Sequence, residues 1–152
     1  MSTWHDTVRR LTPPVWAGVL LCIAFLATPA PFATLASADA GRVVGHMFAR
    51  EAPLSLLLAV VVLMLERRRT LAEPDGDVAS PFTAPVMLSL LTLACTVVGY
   101  YALQPLMAQA RLGQGALSFG QLHAISLGLF GVKMLAVCWL AVLAVRPSGR
   151  SR

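Results

Sequence analysis

Arg42, His46 and Arg50 recur every four residues in the stretch from Ala36 to Pro53, which concentrates charge, glycine and histidine in a chain otherwise built of apolar side chains. Four residues is close to one helical turn. On a helix the three therefore form one cationic stripe, with Val44, Met47 and Phe48 on another side and Ser37 or Asp39 placed to cap the N-terminus. Glu51 stands at the foot of that stripe. Later in the chain His123, Ser126 and Lys133 fall within about 80° of one another on a helical wheel. Ionisable groups inside a membrane commonly mark ion or solute pathways. Arg42, His46, Glu51, His123, Ser126 and Lys133 are accordingly expected to line an outward-facing polar cavity that binds or transports a small solute or ion. The plainer reading of the stripe is that its arginines reach lipid phosphates.

Lys133 lies 13 residues from Arg146, about 20 Å along a helix, too deep for its ammonium to reach water easily. Glu51 lies 15 residues from Glu66 on a helix running in the same direction, hence at similar depth. A Glu51–Lys133 ion pair is the expected solution; a local Arg50–Glu51 pair with Lys133 facing a water-filled notch is the other. His46 and His123 approach the same side, and two imidazoles can ligate haem or copper, so a haem- or copper-binding oxidoreductase or carrier is the alternative function. No H-x-x-x-H, Met-rich or Cys motif accompanies them, which favours a protein without a cofactor. There is no phosphate-cradling loop, no nucleophile and base at a recognisable spacing, and no aromatic–basic patch suited to nucleic acid. A non-enzymatic protein is expected.

The elements that hold these residues follow from the apolar runs. Of 152 residues 57% are hydrophobic and 12% charged, and the mean hydropathy is +0.73, which excludes an ordinary soluble domain. The uncharged runs predict an all-α, four-helix membrane bundle forming a single domain, with helices over about 13–35, 40–66, 82–107 and 118–145. The second is the informative one. Its uncharged run from Ala52 to Leu65 covers about 21 Å of the roughly 30 Å of a bilayer core, so it must extend upstream and carry Arg50 and Glu51 into the membrane. Arg9-Arg10, an apolar run and Ala36-Ser37-Ala38 imitate a signal peptide, but the run is too long for one. Pro13-Pro14 is read as the start of the first helix, and Trp4 and Trp16 as interfacial. Cys22, Cys95 and Cys138 read as small buried residues. Gly41 and Gly45, and Gly120, Ala124 and Gly128, have the spacing of helix-packing faces, within the bundle or against a second copy or another membrane protein, which makes a structural subunit of a membrane complex the third functional alternative. Arg9, Arg10, Arg67, Arg68, Arg69, Arg146, Arg150 and Arg152 fall on one side, and Arg42, Arg50 and Arg111 on the other. Both termini are therefore expected in the cytoplasm, the membrane being a plasma membrane, of a bacterium by the chain's short, arginine-biased character.

Phe32-x-x-Leu35 followed by Ala40-Gly41-Arg42-Val43-Val44-Gly45-x-x-Phe48, and later Phe119-x-x-Leu122-His123-x-x-Ser126, resembles the transmembrane protein 205-like family, also described as domain of unknown function 4149. The resemblance extends over roughly residues 13–145. It implies a four-helix membrane protein without an established activity, with Gly41, Arg42, Gly45, Phe48, His123 and Ser126 at matching motif positions. Two positions depart from the pattern. Ala49-Arg50-Glu51 stands where a proline and an aromatic residue are usual, and Phe130 where an asparagine is.

Overall fold

The computed structural model describes residues 3–72 and 82–146, and every regular element among them is helical. Arg150 and Arg152 of the expected cytoplasmic charge cluster fall outside these residues. The first span comprises α1 (Thr3–Cys22), a π-helical segment (Ile23–Ala27) and α2 (Pro29–Thr34). A single uninterrupted helix, α3 (Ser37–Ala72), makes the second. The third joins α4 (Ala84–Thr96), a π segment (Val97–Ala102) and α5 (Leu103–Arg111), and the fourth is α6 (Phe119–Val145). All four are long and apolar enough to cross a membrane, so this is a four-span membrane protein.

The helices are longer than the uncharged runs, for reasons local to each end. Pro13 and Pro14 do not start α1; they sit inside it. They strip donors only from the carbonyls of Arg9 and Arg10, and the turns before them are anchored by a buried Arg9–Glu66 contact of 3.3 Å between α1 and α3. Trp16 is buried rather than interfacial, whereas Trp4 is exposed. Pro29 follows a widened turn in which the Thr28 N–H reaches the Ile23 carbonyl five residues back. The α-helical ladder would lose a donor at this proline in any case. Pro105 likewise follows a π segment, and the span continues past it to Arg111. Gly113 and Gly115, with φ of 72° and 105°, turn the chain into α6, a backbone that favours glycine. Ser118 and Gln121 then close a capping box at its start.

The helices form a square. α1 packs along α6 and also meets α3, while α4 packs along both α6 and α3, so α3 and α6 face each other across a diagonal with little backbone contact. Trp16, Leu20, Ala59, Val62, Val137 and Leu140 fill the core nearer the Arg9–Glu66 end, and Leu103, Met107 and Leu122 form a smaller cluster near the other. Outward faces carry exposed Phe25, Leu57, Met64, Leu127 and Leu135, as lipid contact requires.

The expected packing glycines make no close approach within the bundle. A Cβ added at Gly41, Gly45, Gly120 or Gly128 would meet nothing within 4 Å, and Ala124 is exposed. Gly99 is the close approach instead, with an added Cβ 3.2 Å from the Leu129 Cβ. Gly99→Leu should therefore lower stability in detergent by about 1–3 kcal/mol through overpacking. Gly128→Leu should change it by no more than about 0.5 kcal/mol. Thermal melting of both variants checks the contrast.

Candidate functional site

Glu51 and Lys133 meet inside the bundle. The Lys133 Nζ donates to Glu51 Oε1 at 2.7 Å, and the two residues are 3% and 4% exposed, respectively. Because α3 and α6 lie across the diagonal, the long lysine and glutamate side chains bridge a gap that the backbones do not close. Burial of either charge alone in this setting is strongly unfavourable, which is why the pair forms although Arg50 is adjacent in sequence.

The pair is built into a larger polar set. One turn beyond Glu51, the Ser55 hydroxyl donates to the same oxygen, Oε1, and Ser55 in turn accepts from Trp16 Nε1 at 3.1 Å. The Lys133 ammonium lies 4.9 Å from the centroid of the Phe130 ring, which meets Phe48 edge to face at 5.2 Å. Phe130, the departure from the motif pattern, thus places the negative face of a ring beside the ammonium. On α4 the fully buried Ser89, Thr92 and Thr96 form a polar stripe, each hydroxyl donating to a carbonyl of its own helix. Ser55 was legible as Glu51 plus four, and the α4 stripe as hydroxyls spaced three and four apart. Trp16 carried no such signal, since its depth depends on a helix that begins upstream of Pro13.

Beside the pair runs an open groove of about 660 Å³ lined by Ile23, Val43, His46, Met47, Arg50, Glu51 and Leu54. Lys133 and Ser55 both donate to Oε1, and among the described residues nothing donates to Oε2 of this residue, which borders the groove. The other expected cavity residues are dispersed. Arg42 is exposed and bonded to Asp39 three residues earlier. His123 stacks on Phe119 with centroids 5.7 Å apart, and Arg111 lies over the same Phe119 ring at 4.7 Å. Ser126 donates to the Gly99 carbonyl at 3.0 Å, within the π segment where backbone pairing is altered. His46 and His123 thus have separate surroundings, and among the described residues no three His, Cys, Asp or Glu side chains gather as metal ligands. Cys22 is exposed, Cys95 buried and Cys138 half-buried, and none forms a disulfide.

Helical spans with polar groups inside and apolar faces outside define a multi-pass membrane protein. The chain belongs to the family described as domain of unknown function (DUF4149), which it matches over residues 11–116. That match holds the first span from residue 11 onward and the whole of the second and third with Glu51; α6, with His123, Ser126 and Lys133, lies beyond it. No curated protein and no solved structure matches the chain.

The ion pair predicts a specific non-additivity. Lys133→Met should cost about 3–5 kcal/mol by stranding a buried carboxylate. Adding Glu51→Gln should recover more than about 1 kcal/mol of that loss. Reversible unfolding of the two single variants and the double variant in detergent measures the coupling, and additive losses would contradict it.

Proposed function

We propose that the protein is a non-enzymatic carrier or binding protein of the transmembrane protein 205-like kind, and that a small solute or ion reaches Glu51 from the groove. One observation carries this reading: a carboxylate within a membrane span, held by Lys133 and Ser55 through one oxygen, belongs to a residue that lines an open groove, and no described residue donates to its second oxygen. Such an oxygen can accept a proton, a cation or a hydrogen-bond donor without dismantling the pair. Arg50 and His46 complete the mouth of the site. Support for an outward-facing groove is the arginine distribution, which assigns both termini and Arg67–Arg69 to the cytoplasmic side of a plasma membrane, bacterial in our reading. Besides the bilayer, the partners we envisage are a second copy or another membrane protein at the open faces around Gly41, Gly45, Gly120, Ala124 and Gly128.

Protons are the first ion to test. Purified protein in vesicles loaded with a pH-sensitive dye should dissipate an imposed pH gradient faster than empty vesicles. The double variant Glu51→Gln with Lys133→Met, which strands neither charge, should return the rate to background while retaining the fold. Dicyclohexylcarbodiimide, which reaches carboxyl groups from the lipid phase, should modify Glu51 and block the flux. Equal rates in wild type and variant, with Glu51 unmodified, would sink the reading. Reporter fusions after Arg152 and within residues 71–77 should both give cytoplasmic signals.

A further inference from the structure

The Arg50 side chain has no hydrogen-bond or ion-pair partner among the described residues, its neighbour Glu51 being bonded through Oε1 to Lys133 and Ser55 instead. It is exposed on the wall of the groove, together with His46 one turn away, and the remaining wall is apolar: Ile23, Val43, Met47 and Leu54. Counted along α3, Arg50 lies inside the span, because the uncharged residues below it are too few to cross a bilayer core. Among the described residues nothing compensates a guanidinium there, in contrast to Arg42 with Asp39, Arg9 with Glu66 and Lys133 with Glu51. An uncompensated cation above an apolar channel is complementary to one class of molecule, an anionic head on hydrocarbon chains.

We propose that this groove is a binding site for an anionic phospholipid of the surrounding leaflet, its phosphate held by Arg50 and His46 and an acyl chain lying along Ile23, Met47 and Leu54. Guanidinium–phosphate pairing is charge-assisted and can be bidentate, which the neutral or zwitterionic lipids of the same leaflet satisfy less well because their phosphate is internally balanced. The lipid site shares the groove and its mouth residues with the carrier reading, but it depends on Arg50 and not on the second oxygen of Glu51.

Native mass spectrometry of the full chain in detergent, with palmitoyl-oleoyl phosphatidylglycerol or phosphatidylcholine added, tests it. Wild type should retain one phosphatidylglycerol about fivefold more strongly than phosphatidylcholine, the factor set by one interfacial arginine. Arg50→Gln should remove the preference, Arg50→Lys should keep most of it, and Arg42→Gln should leave it intact because Arg42 is already paired. Unchanged melting temperatures would exclude misfolding as the cause of the loss. No preference in wild type, a preference surviving Arg50→Gln, or a lipid-free dimer in which a second copy covers the groove would each overturn the proposal. Wild-type protein separates the two ideas: proton flux without lipid preference leaves the carrier reading standing, and lipid preference without flux leaves only this one.

Discussion

A bilayer removes the force that gathers helices in water, because lipid tails are as apolar as the side chains that would be buried. What then fixes one helix against another is a small number of polar contacts, and here the decisive one joins Glu51 to Lys133 across the diagonal of the square. Its neighbours hold it in place: Ser55, itself bonded by Trp16, on the carboxylate, and the Phe130 ring, braced by Phe48, beside the ammonium. A second buried pair, Arg9–Glu66, repeats the device near the opposite end of α3. Helix α3 thus carries a carboxylate near each end of its crossing, and each is met by a cation from a different neighbour.

Much of this was readable from the chain. Four spans follow from the uncharged runs, and the shortness of the run after Pro53 required a helix that reaches up through Arg50, as α3 does. Equal depth counted from the arginines sufficed to match Glu51 with Lys133. Angular facts were harder. A helical wheel places Glu51 about 140° from His46, so the two cannot face the same partner; the structure gives Glu51 to Lys133 and leaves His46 on the groove wall. The gathering of Arg42 and His123 around that groove did not occur, because each has a cheaper partner at hand, Asp39 and Phe119 respectively.

Small-residue spacing misled for a related reason. A stripe of glycine and alanine permits close approach but does not require it, and the faces at Gly41, Gly45, Gly120 and Gly128 look away from the bundle. Gly99 lies in no such pattern, yet it is where a side chain would collide. Its neighbourhood is set by the widened turn at Val97–Ala102 and by Ser126, whose hydroxyl takes up the Gly99 carbonyl. Periodicity cannot announce a π turn, since the turn is where the period changes.

The two widened turns fall in the first and third spans, which occupy opposite corners of the square, and each lies in the part of its span remote from Arg9 and Glu66. The other two corners, α3 and α6, are unbroken and are bolted together by their charges. The bundle therefore consists of two stiff struts and two jointed ones. Any breathing that admits a molecule to the interior must come from the jointed pair bending away at that end, while the struts hold the ion pair at constant length.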